Sequence, residues 1–212
     1  MAASGLSRSS WYRAIRAGQL DQIHSGVARL HGTPDTAEQQ IMAAVLAVGT
    51  PGLASHRSAA YLWGTERPAD DPVDVIVVGR RRLPALDAVV IHRPKDVERL
   101  TPQRRSNIAC TNILRTLLDL GAVDRRAVPD AVGHAIAHHH ITLATLETVV
   151  IQHSEHGRTG IVALRDAVDD WAIDHKPTDS LLETTMQRLI TRHCLPPVEF
   201  HPIIDGYEVT SG

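Results

Sequence analysis

Arg8, Arg13, Arg16 and Arg29 stand against Asp21 alone in the first 33 residues, in a chain of 212 residues whose formal net charge is −2. Guanidinium groups concentrated in this way are suited to phosphates and to base edges, which accept their fixed forks of N–H donors. Ser9, Ser10 and Tyr12 add hydroxyls within the same short stretch, and His24 and Arg29 follow a few residues later. Ser9, Ser10, Tyr12, Arg13 and Arg16 are therefore the candidates to read or position a duplex groove, with His24 and Arg29 as backbone contacts. The alternative is an amphipathic helix and hairpin with a solvated arginine side.

Other clusters point less clearly to chemistry. His134 and His138 are four apart and share a helix face, with His139 and His140 just beyond. The residues between the first two are Ala135, Ile136 and Ala137, so the general base of an H-E-x-x-H metal site is missing, and a solvated, helix-ending cluster is expected. His56-Arg57 and His92-Arg93 have no nucleophile beside them, and a hydrogen bond to backbone or to a carboxylate such as Asp74 or Asp119 is the expected role. Arg115 and Asp119 are spaced to pair on one helix. Arg80-Arg81-Arg82 is a second cationic patch, placed to touch phosphates or simply to be solvated, whereas Arg104-Arg105 and Arg125-Arg126 are expected to be balanced by nearby acids. There is no Gly-rich phosphate loop, no G-x-S-x-G elbow and no paired-carboxylate motif. We expect no catalytic residue, no metal ligand and no cofactor.

The elements that must hold these residues follow from periodicity and punctuation. Ser7 is a natural N-cap, and Trp11, Ala14 and Ile15 fall on one side of a 3.6-residue spiral with Ser9, Arg13 and Arg16 opposite, up to a stop at Gly18. Gln22-Ile23-His24 and Val27 to Leu30 flank Ser25-Gly26, a hairpin turn. After the break at Thr33-Pro34-Asp35, helices are expected over 36–48 and 55–63, and neighbouring strands over 73–78 and 88–92. A third strand is expected at 107–110, then a helix capped by Thr111 and running to Leu120, and further helices near 127–138, 143–152 and 160–173. A break at His175 to Asp179 precedes a helix over 180–193 and strands over 198–204 and 207–210.

Composition bounds the class. A 43% hydrophobic content supports a packed core, while 3% aromatics argue against a base-stacking platform for single strands. No apolar run reaches the roughly 20 residues of a membrane span, and a signal-peptide pattern is lacking, so a cytoplasmic protein with no membrane partner is expected. Cys110 and Cys194 have no partner spacing and read as buried apolar fillers.

Ser55-His-Arg-Ser-Ala-Ala-Tyr-Leu-Trp-Gly64, Ile91-His-Arg93 and Cys110-Thr-Asn-Ile-Leu-Arg-Thr-Leu-Leu-Asp-Leu120, together with the opening helix and hairpin, resemble the AbiEi antitoxin family of type IV toxin–antitoxin systems. The resemblance spans nearly the whole chain. It implies an α+β protein with a partial winged helix-turn-helix at 1–33, a central α+β domain with a small sheet and helical tail at 34–175, and an incomplete restriction-endonuclease-like segment, akin to very-short-patch repair nucleases, at 176–212.

It also implies a DNA-binding transcriptional regulator that engages duplex operator DNA, and a cognate toxin as a functional partner that need not form a stable complex. Family members carry about two more helices before the segment matching Gly5–Gly18, so either the helices after Pro34 support the reading helix or the start is truncated. Near the far end, Ser180 to Glu183 matches the opening of the nuclease-like domain, but Thr210 stands where the family places a metal-binding Asp. Glu183 alone does not hold a catalytic cation, so no enzyme is expected, with a metal-dependent endonuclease or its inactive remnant as the alternative.

Overall fold

The computed structural model describes residues 5–80, 82–154, 160–174, 203–204 and 207–208. It is a mixed α and β protein. Helix α1 (Arg8–Arg16) starts at Ser7, whose hydroxyl accepts the Ser10 backbone N–H at 3.1 Å. Gly18, at φ 67°, then turns the chain into the antiparallel hairpin β1 (Leu20–His24) and β2 (Val27–Leu30), with Gly26 at φ 77° in the turn. Trp11 is the one buried residue of α1, which packs on β1.

Helix α2 (Ala37–Val48) is capped by Thr36, whose side chain accepts from Gln39, and packs against both hairpin strands. The support from beyond Pro34 thus reaches the hairpin, while α1 itself rests on β1. That support is reinforced by an ion pair between Arg29 and Asp35 at 3.3 Å, which straddles the break read at residue 33.

The centre is a five-stranded sheet in the order β5-β4-β3-β7-β6, formed by β3 (Gly52–Ala54), β4 (Val73–Val77), β5 (Val89–His92), β6 (Pro102–Arg105) and β7 (Ile108–Thr111). β4 and β5 run parallel, as neighbours, with Ile76 opposite His92. Every residue of β4 is buried, so its Val-Asp-Val-Ile-Val run places a carboxylate in the core. Helix α3 (His56–Leu62) follows β3 directly, and α4 (Ile113–Val123) follows β7 and packs against α3. The cap of α4 is Asn112, which accepts the Arg115 N–H at 2.8 Å; Thr111 instead ends β7, a one-residue correction of the expected cap.

Two apolar clusters divide the core. Ile41, Ala44 and Val48 of α2, Ala59 and Leu62 of α3 and the sheet residues Val73, Val75, Ile108 and Cys110 form one. Leu117, Leu118 and Leu120 of α4 form the other with α5 (Val128–Ala137), α6 (Leu143–Ser154) and α7 (Ile161–Asp174). Gly121 and Gly160 let α4 approach the start of α7 so closely that a Cβ on Gly160 would sit 2.2 Å from the Leu118 carbonyl oxygen. The antiparallel pair β8 (Ile203–Ile204) and β9 (Tyr207–Glu208) matches the last expected strands in part. The helix expected over 180–193, Glu183, Cys194 and Thr210 lie outside the described residues.

Candidate nucleic-acid surface and a charged cleft

The first surface is the outer side of α1. Arg8, Ser9, Tyr12, Arg13 and Arg16 are exposed, while Ala14 and Ile15 are half-buried beside Trp11, as the spiral predicts. Arg13 and Arg16 have no acidic partner among the described residues, and the Arg8 guanidinium lies 6.0 Å from the Tyr12 ring. The serines are partly engaged: Ser7 Oγ lies 3.0 Å from Ser9 Oγ and donates to Ser10 Oγ at 2.9 Å. Ser10 is half-buried and belongs to the cap more than to the outer face.

The hairpin places its two candidates differently. Arg29 is held between Asp21 at 3.6 Å and Asp35 at 3.3 Å, with Asp21 also contacting His31 at 3.0 Å. Hydrogen bonding from His31 outweighs the effect of burial and holds the Asp21 carboxyl below its ordinary range. His24 and Arg29 line a groove of about 410 Å³ between hairpin, α2 and the segment around Arg67 and Asp71. Within it, Arg29 Nε, Gln39 Oε1 and Arg67 Nε are buried without a hydrogen-bond partner. The structure thus gathers Ser9, Tyr12, Arg13 and Arg16 on one exposed face, draws Ser10 into the cap and turns Arg29 toward carboxylates.

The second site was only partly legible in sequence. Asp74 on β4 is fully buried and accepts from His92 Nε2 at 2.7 Å, from Arg57 Nε at 2.8 Å and from Arg57 Nη2 at 3.3 Å. Its backbone is fixed as well: its N–H donates to Ser58 Oγ at 2.8 Å, and its carbonyl accepts the Ser55 N–H at 3.0 Å. Burial pushes this carboxyl up, but the His92 and Arg57 hydrogen bonds together outweigh it and keep it below the usual carboxylate range. An ionised carboxylate only accepts, so His92 Nε2 carries the proton it shares with Asp74.

The His56 ring stacks on that of His92, with centroids 3.6 Å apart, and His56 Nδ1 contacts Ser55 Oγ at 2.9 Å. His56 sits at φ 47°, a left-handed conformation rarely taken by residues with a Cβ. Burial above all, then the neighbouring His92, pushes its imidazole down to about 3, so it is neutral at physiological pH. Arg115 on α4 donates from Nε to both Asp119 oxygens (2.9 and 2.7 Å) and from Nη1 to Asp96 at 3.1 Å. The expected Arg115–Asp119 pair is therefore present, and it is buried. A cleft of about 250 Å³ joins these groups, lined by His56, Ile76, His92, Arg93, Asp96 and Arg115 among others.

The remaining clusters resolve as packing. His134 and His138 stack at 4.1 Å, and His140 lies edge-on to Trp63 at 5.2 Å; His138 and His139 are exposed at the end of α5, as expected, while His134 and His140 are half-buried. Among the described residues no group of three His, Cys, Asp or Glu is placed to hold a metal ion. Arg105 stacks over Trp63 at 4.5 Å and Arg104 bonds Asn107, so the expected acidic balance there is replaced by ring and carbonyl contacts. The Cys110 thiol is buried and pushed up to about 11, which suits packing and not nucleophilic attack at neutral pH. No helix among the described residues is long and apolar enough to cross a membrane. No protein-family model matches the chain, and no curated protein matches it.

Proposed function

We propose that the chain is a duplex-DNA-binding transcriptional regulator of the antitoxin type, with α1 as the groove helix and the β1–β2 hairpin as its wing. The observation that carries this reading is the exposed edge of Arg13 and Arg16, uncompensated among the described residues, on a helix anchored from behind by Trp11. Tyr12 and Ser9 lie on the exposed side as hydroxyl donors beside them. Arg29, paired with Asp21 and Asp35, serves the wing by tying it to the start of α2. Sequence readout comes from base edges and affinity from phosphates, and α1 carries the donor types for both.

The test is a mobility-shift titration on the duplex upstream of the chain's own coding sequence, over a salt series. Arg13→Ala with Arg16→Ala is expected to weaken binding and to flatten the dependence of log K on log salt by about 2, since each phosphate contact on B-form DNA contributes about 0.9. Unchanged affinity and slope, or no shift by the unmutated protein at low salt, would overturn the proposal.

A further inference from the structure

Because β4 and β5 are parallel, their C-terminal ends emerge together, and each is followed by exposed basic residues, Arg80 and Arg82 after one and Arg93 and Lys95 after the other. The two segments are tied by a hydrogen bond from Arg93 Nη1 to the Gly79 carbonyl at 2.7 Å. Arg80, Arg82 and Lys95 are exposed, and none of the three has an acidic partner among the described residues. No Asp or Glu occurs between Val75 and Leu86 or between Ala88 and Lys95, and Asp96, the first acid beyond, already accepts from Arg115. The cleft holding His92 opens at this same edge, since Arg93 and Pro94 are part of its lining.

We propose that this edge is a binding site for a phosphate ester of nucleotide size. The phosphate sits on the Arg80, Arg82 and Lys95 rim, and the rest of the ligand enters the cleft against Ile76 and the stacked imidazoles. Three features of the arrangement suit this ligand. Arg80, Arg82 and Lys95 are exposed cations that follow two adjacent strand ends, which suits a multiply charged phosphate better than a single carboxylate. Asp74 fixes His92 with its Nε2 occupied, so the remaining ring nitrogen is oriented without help from the ligand. The cations of the interior, Arg57 and Arg115, are already matched by Asp74, Asp96 and Asp119, which leaves the rim as the source of attraction. The site stands on residues other than those of α1, so it does not depend on the regulator reading.

The ester can come from a free nucleotide or from a nucleic-acid strand, and calorimetric titration separates them. The probes are the four nucleoside monophosphates, inorganic phosphate and a short duplex of arbitrary sequence, against the whole chain. Saturable binding of at least one monophosphate is expected, weakened at least about tenfold in Arg80→Ala/Arg82→Ala/Lys95→Ala and weakened also in His92→Gln, with an unchanged unfolding midpoint for the rim variant. If the rim variant loses only duplex binding while no monophosphate binds, the site is a strand contact and the nucleotide-sized cleft is wrong. Absence of binding by every probe, or binding indifferent to the rim and to His92, overturns the proposal outright. Retention of operator binding by the rim variant, and its loss in the Arg13/Arg16 variant, keeps this outcome distinct from the fate of the regulator reading.

Discussion

The α1–hairpin region and the β4–β5 edge both concentrate charge, but they spend it in opposite ways. On α1 the cations face water and only Trp11 is buried. At β4 the carboxylate of Asp74 is fully buried and wrapped by Arg57 and His92, while Arg115 is locked between Asp96 and Asp119. An exposed charge costs little to keep and gains little from a neighbour, so α1 can leave its arginines uncompensated for an external partner. A buried charge is costly unless matched, so the interior cluster must be complete before the fold is stable. The difference teaches where a substitution should be felt as lost stability and where only as lost binding.

The largest effect should come from breaking the buried set. Asp74→Ala leaves Arg57 and His92 without their shared acceptor and is expected to cost about 3–5 kcal/mol, the usual penalty for removing one partner of a buried ion pair. In a chain of this size that lowers the thermal midpoint by roughly 10 °C. Asp21→Ala in the hairpin, where the carboxylate is water-exposed, should leave the midpoint nearly unmoved. Equal losses in the two variants, read by calorimetry or by chemical denaturation, would erase the distinction between the regions.

Next in size is the anchor of the outer region. Trp11→Ala removes the only buried side chain of α1 and should cost about 3 kcal/mol or more, because α1 has little else to collapse onto the gap. The loss should be local: amide exchange should accelerate in α1 and the hairpin, while β4 and α4 keep their protection. Uniform acceleration across the chain would show that the two regions unfold as one unit.

The ease of reading each region from sequence follows the same divide. Helix α1, its Ser7 cap, the Ser25-Gly26 turn and the long apolar helices α2 and α4–α7 were legible because periodicity, caps and glycines agree locally. β3 was missed because Gly52-Leu-Ala54 is three residues long and follows what reads as a Gly-Pro break. β6 was missed because Pro102-Gln-Arg-Arg105 is an edge strand whose pairing with β7 lies in its backbone and leaves no apolar alternation. At the cleft, Asp74 could be named as a partner for a histidine, but nothing in the chain's order says that His56 would stack on His92 or that Arg115 would reach Asp96. Those contacts join residues 36 and 19 positions apart in the sequence, brought together by the sheet register and by α3 and α4 packing on each other.

His56 sharpens the comparison through pH. Its imidazole titrates at about 3 in the fold and near 6.5 when exposed, so between these values the unfolded chain binds more protons and stability falls as the pH falls. Integrated from pH 7 to pH 5, this one group accounts for a loss of about 2 kcal/mol. Asp74, held below its ordinary range, adds to acid sensitivity at still lower pH. His56→Asn removes the titrating group and tolerates the left-handed backbone, so the variant should lose less stability between pH 7 and pH 5 than the unmutated chain. An identical pH profile would mean that His56 becomes protonated in place, and that the cluster is wetter than its burial implies.

The smallest structural effect is expected where the proposed functional effect is greatest. Arg13 and Arg16 lie on the exposed side of α1, opposite Trp11, the one buried residue of that helix. Replacing both with alanine, the strongest helix former, removes two like charges from adjacent turns and should leave the thermal midpoint within about 1–2 °C of the parent. Their placement in the last turn favours the helix dipole, and this small gain is lost in the variant, so the two terms oppose each other. A stable variant with impaired duplex binding separates the roles of the two regions cleanly. A midpoint lowered by 5 °C or more, roughly the scale of a lost core contact, would place these arginines in the architecture of the module and take away their claim to be its binding edge.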